Sequence, residues 1–410
     1  MKQTEQAEPI KITAGDSALT ETLAGRTIVL GITGSIAAVR TIELAHELIR
    51  RGAVVQAVMT ESAQRIIHLD AIECATGRPP ITQWTGKVSW VECCGDGGDS
   101  NSGSAADLLL IAPCTASTIG KIAHAIPDTL VSIFATTAIG AGLPVVIAPA
   151  MHGSMYNPLV RGNIDVLRGY GVVVAGPVIE EGKAKVAETL DIVRWVEQAL
   201  GDASLAGMRV LITGGATAEP IDPVRMITSR ASGRMGIALA HEAFRRGADV
   251  TLVHRGNVGF SGISEIYVET AREMTDVVLG ELEADGGYNL LISAAAISDY
   301  TLDPSAGKIP SGSQLTLNLR PTEKLLGAVR DRHPDLVVVG FKLETEPGDA
   351  LTLRAKEVMD RYGLATIVAN TVENMGGAEG EVWIISKNNV RHVCGTKDVV
   401  AGAIFDRVVI

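Results

Sequence analysis

Short runs of apolar, largely β-branched residues alternate along most of the chain with stretches whose apolar positions recur every three or four residues. In the first half the runs are TIVLGIT (27–33), VVQAVMT (54–60), DLLLIAP (107–113), PVVIAPA (144–150) and GVVVAGP (171–177). Unbroken runs of this length predict strands buried on both faces, as in a parallel sheet. Between the first two, VRTIELAHELIRRG sets Ile42, Ala45, Leu48 and Ile49 at helical spacing and closes on Gly52. That spacing predicts an amphipathic helix with glycine at its C-terminal end.

After the segment LDIVRWVEQAL the alternation pauses at GDASLAG (201–207) and then restarts. The second set of runs is RVLITGG (209–215), DVTLVHR (249–255), NLLISAAA (289–296), DLVVVGFK (335–342), ATIVAN (365–370) and EVWIISK (381–387). Strand, glycine-bearing turn and helix open both halves. The pattern predicts an α/β chain of two doubly wound domains, with a polar leader at 1–25, a first domain at 26–200, a linker at 201–207 and a second domain at 208–410. One sheet holding every strand would exceed the usual size of open sheets.

Composition narrows the classes. An apolar fraction of 46% over 410 residues supports sizeable cores, and 44 glycines suit many tight strand-to-helix turns. A net charge of −11 argues against a nucleic-acid-coating protein, although helix N-termini can still hold phosphates. The five cysteines, Cys74, Cys93, Cys94, Cys114 and Cys394, match no disulfide framework or zinc ribbon, and are expected as reduced thiols. The polar leader has no signal-peptide core, and no apolar run reaches the roughly 20 residues of a membrane helix. A cytoplasmic protein with no membrane or nucleic-acid partner is expected.

Candidate chemistry lies in the turns. GITGSIAA (31–38) follows a strand, with Gly31 and Gly34 permitting close backbone approach and Ser35 offering a hydroxyl at a helix start. VMTESA (58–63) ends the next strand with Thr60 and Ser62, and APCTASTIGKIAHAIPDTL (112–130) follows a third. All three fall at the carboxyl ends of parallel strands, where doubly wound sheets place ligands. Together with PAMHGSMYNP (149–158), these motifs resemble the homo-oligomeric flavin-containing cysteine decarboxylases over roughly residues 26–190.

That resemblance implies a flavodoxin-like domain holding FMN through Gly34, Ser35, Thr60, Pro113, Thr115, Ser117 and Met151. It also implies a PAMHGSM loop that clamps the substrate and carries His152 as a catalytic residue. The family oxidises a cysteinyl thiol to a thioaldehyde by hydride transfer to FMN, which provides the electron sink that loss of carbon dioxide requires. Three positions depart from the bacterial pattern. His152 replaces an Asn, Trp90 aligns with the usual His, and VIEEGKAKVAETLDI (178–192) has no flap Cys. The flap is similar to that of archaeal members.

In the second half, the TGG turn is interrupted by EPIDPVR before a helix begins near Ser232-Gly233, which disfavours a dehydrogenase. Gly233, Arg234 and Gly236 at that delayed start suit a phosphate. With SAAAISDY (293–300), GKIPS (307–311), RPTEKLL (320–326), VGFKLET (339–345) and IVANTV (367–372), the segment resembles the phosphopantothenate–cysteine ligase domain over about 208–405.

The resemblance implies a Rossmann-like nucleotide-binding domain in which Ser293, Ala294 and Ala295 line the base and ribose, and Phe341 packs near the base. Asp299 and Lys308 are implied as catalytic, Thr322, Glu323 and Lys324 as triphosphate contacts, and Lys356 as a further basic contact. Ser229-Arg230 stands where bacterial members carry Asn. The implied substrates are 4′-phosphopantothenate, cysteine and CTP with Mg²⁺, joined through an acyl-cytidylate. The metal ligands are left open. A homo-oligomer follows from both resemblances, trimeric contacts in one half and dimeric in the other making a dodecamer. Two other readings stay open: a ligase with an inactive flavin half, and a regulatory flavoprotein.

Overall fold

The computed structural model describes residues 21–86, 88–95, 105–312, 314–345, 348–372, 377 and 379–408. The chain divides into two compact units between Asp202 and Ala203.

The first unit is built on five parallel strands in the order Val54–Met59, Thr27–Ile32, Leu108–Cys114, Val145–Pro149, Val173–Val174. Alternate residues feed two cores, which is why the sequence reads as unbroken apolar runs. Ile28, Leu30 and Ile32 join Leu108 and Leu110 on one face, whereas Val29 joins Leu109, Ile111 and Phe134 on the other. The helix expected after the first strand occupies Thr41–Arg50, preceded by a 3-10 turn at Ile36–Arg40. Its buried face is Leu44, Ala45 and Leu48, while Ile49 is exposed.

Two expectations shift. The strand expected at 171–177 is reduced to Val173–Val174, because the chain soon reaches Pro177, which has no N–H for the ladder. The chain then forms a hairpin, Val178–Glu180 with Lys183–Lys185, whose second strand pairs antiparallel with Met151–His152. Leu23, inside the expected leader, is fully buried, and its N–H donates to Arg51 O at 2.9 Å.

The second unit carries an eight-stranded sheet. Six parallel strands run Ser264–Tyr267, Asp249–His254, Arg209–Gly214, Leu290–Ser293, Val337–Glu344, Thr366–Thr371. Antiparallel strands Glu379–Ser386 and Asn389–Thr396 complete the sheet. The two outermost strands were not expected from the sequence. Edge strands need no unbroken apolar run, and SEIY and NVRHVCGT have none. The strand expected at 289–296 stops at Ser293, because Ala294–Ala296 turn toward the neighbouring strand end. There Ala294 N donates to Thr213 O at 3.1 Å and Ala296 N to Gly215 O at 2.8 Å. The EPIDPVR interruption is a small hairpin, Ala218–Pro220 with Met226–Thr228. It delays the helix to Arg234–Arg245.

Both strand orders place a topological switch point beside the unit's first strand. In the first unit it lies between Thr27–Ile32 and Leu108–Cys114, and in the second between Arg209–Gly214 and Leu290–Ser293.

Candidate active sites

A cavity of about 390 Å³ opens at the carboxyl ends of the first unit's strands. Its rim is hydroxylated because three loops end in side chains that cap the following turn. Ser35 Oγ accepts from Ala37 N at 3.3 Å, Thr60 Oγ1 from Ala63 N at 3.3 Å, and Thr115 Oγ1 from Thr118 N at 3.3 Å. Buried Thr33 ties two of these loops together: its Oγ1 donates to Pro113 O at 2.7 Å and accepts from Thr115 N at 3.1 Å. Gly34 is needed for a close approach, since a Cβ there would run into the Ser62 side chain. The opposite wall is apolar, with Ala150, Met151 and Met155. Hydroxyls and a helix N-terminus on one side and thioethers on the other fit the phosphate and ring of a flavin.

Of the residues expected here, Gly34, Ser35, Thr60, Thr115, Ser117 and Met151 line the cavity. Pro113 instead borders a narrower hollow with Ala37, Arg40 and Thr41. His152 lies beyond the lining on an exposed turn, where its Nδ1 accepts from Ser154 N at 3.3 Å and lies 2.8 Å from Ser154 Oγ. Trp90 does not reach the cavity; it sits on the helix Ser89–Cys94, with its ring 5.9 Å from that of Trp84. Cys114 closes the central strand but is fully buried, and burial pushes its thiol far above the ordinary range, so it supplies no thiolate. Lys121 and Thr129 also line the cavity, although the sequence reading assigned them no role. Both stand within APCTASTIGKIAHAIPDTL, and Lys121 is held by Asp128 at 2.9 Å.

The second unit's cavity, about 170 Å³, lies at its switch point. Gly215, Gly233 and Gly236 form its floor, and Ala294, Ala295 and Ala296 one wall. Gly233 caps the helix with φ 76°, a conformation that favours glycine. A Cβ on Gly236 would lie 2.7 Å from Gly214 Cα, so only glycine lets helix and strand meet this closely. Phe341, Leu343 and Val382 supply apolar surface, and Arg234 and Lys397 supply cations. Burial, helped by the Arg234 charge, lowers the Lys397 pKa below the ordinary lysine value. Two such cations at a helix N-terminus favour an anion. Apolar surface beside two cations at a helix N-terminus is a lining compatible with a nucleotide.

Ala294, Ala295 and Phe341 are thus brought together. The Ala294 and Ala295 amides are already bonded to Thr213 O and Oγ1, so these residues present carbonyls and methyls to a ligand. Ser293 is buried at the strand end behind them. A second group forms nearby in sequence. Asp299 pairs with Lys324, and Thr322 donates to Ser298 O at 2.6 Å. Lys308, Glu323 and Lys356 are exposed and line neither cavity. Ser229 is exposed, with Ala231 N 3.4 Å from its Oγ. Glu381, Val382 and Lys397 were missed by the sequence reading, because the terminal hairpin and helix bring them in from far along the chain.

Fold and cavities together define a two-unit α/β protein with a ligand cavity at each switch point, the first suited to a flavin and the second to a nucleotide. The family described as "Flavoprotein" matches residues 16–201, and the one described as "DNA/pantothenate metabolism flavoprotein C-terminal domain" matches residues 205–410. A relative from Thermococcus kodakarensis, "Coenzyme A biosynthesis bifunctional protein CoaBC", is 45% identical over 370 residues, covering 89% of this chain and 90% of its own. Its namesake from Methanocaldococcus jannaschii is 35% identical, covering 98% of each. The solved C-terminal domain of a protein of the same name aligns with 50% of this chain and 95% of its own at 27% identity and a TM-score of 0.42. The chain belongs to the family of bifunctional coenzyme A biosynthesis proteins.

Proposed function

We propose that the second unit joins 4′-phosphopantothenate to cysteine using CTP, and that the first unit decarboxylates the product with FMN. The observation that carries this reading is the pair of differently lined switch-point cavities in a chain of this family. In the ligase step the phosphopantothenate carboxylate attacks the α-phosphorus of the nucleotide and pyrophosphate leaves. The cysteine amine then displaces the nucleoside monophosphate and forms the amide. Arg234 and Lys397 screen the approach of two anions, and Mg²⁺ enters with the triphosphate. Carbonyls of Ala294 and Ala295 accept from the exocyclic amine of the base, a feature that cytosine shares with adenine. Lys308, Thr322, Lys324 and Lys356 belong to this reading as phosphate-side contacts, with Glu323 beside them, and Asp299 as the partner that orients Lys324.

In the decarboxylase step bound FMN would accept two electrons from the cysteinyl thiol and return them once carbon dioxide has left, so that the overall step is redox-neutral. Ser35, Thr60, Ser62, Thr115 and Ser117 hold the phosphate and ribityl hydroxyls, and Met151 and Met155 cover the ring. His152 presents its Nε2–H to the substrate carboxylate, oriented by Ser154. A homo-oligomer in the cytoplasm completes the proposal.

The test is a mass-spectrometric time course of the full chain with 4′-phosphopantothenate, cysteine, Mg²⁺ and either CTP or ATP. Phosphopantetheine with released carbon dioxide is expected with CTP. Accumulation of phosphopantothenoylcysteine alone would leave a ligase with a silent flavin unit. No product with either nucleotide would overturn the reading.

A further inference from the structure

The terminal hairpin of the second unit carries a side-chain cluster that the proposed chemistry leaves unassigned. Glu379–Ser386 and Asn389–Thr396 pair Glu381 directly with Cys394, and Trp383 with His392. Positions two apart on a strand share a face, so Glu381, His392 and Cys394 point the same way. His392 Nε2 lies 2.6 Å from Glu381 Oε1 and 3.5 Å from Cys394 Sγ. All three donor atoms lie within 4.8 Å of one another. The His392 ring stacks on Trp383, with centroids 4.7 Å apart and planes 13° from parallel, which fixes its orientation. Glu381 also lines the Phe341 cavity.

We propose that Glu381, His392 and Cys394 form a site for one divalent transition-metal ion of the zinc class. A tetrahedral ion with ordinary zinc–nitrogen and zinc–sulfur bonds holds the two donors about 3.6 Å apart. The observed 3.5 Å between His392 and Cys394 matches that separation. Nitrogen and carboxylate oxygen would sit about 3.4 Å apart on the same ion. Glu381 and His392 therefore need to part by less than about 1 Å, exchanging one hydrogen bond for two metal bonds. The carboxylate and the thiolate balance the two charges of the ion, His392 binds neutral, and the Cys394 proton passes to solvent. Three protein ligands leave a fourth position for water. Thiolate and imidazole select against Mg²⁺, which takes oxygen donors in an octahedron, so this ion is distinct from one arriving with a nucleotide. Because Asn389–Thr396 is the edge strand, an ion here also fastens the end of the sheet.

The experiment is a titration of the metal-stripped full chain with Co²⁺, followed by Zn²⁺. One equivalent of Co²⁺ is expected to raise a near-ultraviolet thiolate charge-transfer band together with the visible bands of a four-coordinate ion. Zn²⁺ should abolish them and excess Mg²⁺ should not. Cys394→Ser should remove the charge-transfer band, and His392→Ala should weaken binding by at least about tenfold, with circular dichroism checking both folds. Absence of the charge-transfer band, or its survival in folded Cys394→Ser, overturns the proposal. If neither variant folds, X-ray absorption of the zinc-loaded wild type decides. One sulfur among nitrogen and oxygen neighbours supports the site, and any other sulfur count sinks it.

Discussion

The two units start from the same three residues and then diverge. Ile32-Thr33-Gly34 ends the first strand of one, and Ile212-Thr213-Gly214 closes that of the other. In each, a buried threonine hydroxyl crosses the switch point to the loop beyond: Thr33 to Pro113 and Thr115, Thr213 to the amide of Ala295. After that the glycines separate the units. Gly34 makes room for a neighbouring side chain, Ser62, whereas Gly236 makes room for the backbone of Gly214. The first unit thus gathers hydroxyls from successive strand-end loops around its cavity. The second presses a helix N-terminus onto the sheet and adds cations. One turn can open two unlike sites, because the chemistry is set by what the glycine admits.

Adding a methyl at each glycine tests this contrast most severely. Gly236→Ala places a Cβ against backbone that cannot rotate away, a strain of about 3 kcal/mol. Displacement of the helix start should lower ligase turnover on the order of 100-fold. The flavin absorbance should be retained. Gly34→Ala meets chiefly the exposed Ser62 side chain, with the Ser62 backbone carbon farther off at 3.2 Å, and should weaken flavin binding less, with partial rescue by adding Ser62→Gly. Equal losses from both substitutions, measured by turnover and flavin content, would break the distinction.

Lys397 is the next largest effect. It is the first residue of the last helix, Lys397–Phe405, yet it lines the cavity with Arg234. A charge-assisted hydrogen bond to phosphate contributes about 1.5–3 kcal/mol. Lys397→Ala should therefore raise the KM for nucleotide by roughly 10- to 100-fold. An unchanged KM in steady-state kinetics would move the phosphates away from this end of the cavity.

Why the sequence revealed one cavity more fully than the other follows from where the lining comes from. In the first unit Gly34, Ser35, Thr60, Thr115 and Ser117 each stand just after an apolar run, so strand periodicity alone puts them on one rim. Glu381 and Lys397 reach the second cavity through a hairpin and a helix whose place in the sheet depends on antiparallel pairing at its far edge. No local pattern encodes that register. Asp299 and Lys324 illustrate the middle case, since their motifs were legible and their ion pair was not. Trp90 shows the converse: its position in the motif order was clear, but its side chain went to packing.

The shared threonine offers a subtler comparison. Thr33→Val leaves Pro113 O and Thr115 N without their buried partner, whereas Thr213→Val strands only the Ala295 amide. Each unsatisfied group costs about 1–3 kcal/mol. Thr33→Val should lower the thermal midpoint of the flavin unit more than Thr213→Val lowers that of the ligase unit, as read by calorimetry. The reverse order would mean that the second crossing carries more than its single bond.

The smallest expected effect concerns the hairpin that only the second unit inserts after its turn. Asp222 is buried at its tip and accepts from Val224 N at 2.8 Å, Arg225 N at 2.9 Å and Ile309 N at 3.1 Å. The last of these bonds anchors the residue beside Lys308. Burial acts to raise the Asp222 pKa, but the amides of Val224, Ile309 and Arg225 and the Arg225 charge outweigh it and hold it below the ordinary value. A carboxyl depressed on folding adds stability above its unfolded pKa of about 3.9, and that stability is lost as pH falls through the folded value. Asp222→Asn turns one acceptor into a donor facing Ile309 N, so it should free the Lys308 loop while leaving the sheet intact. Ligase KM should rise only a few-fold. The stability gap between wild type and Asp222→Asn should be constant at neutral pH and narrow below the carboxylate range. A gap that widens on acidification would show that Asp222 is protonated in the fold, and would detach the hairpin from the positioning of Lys308.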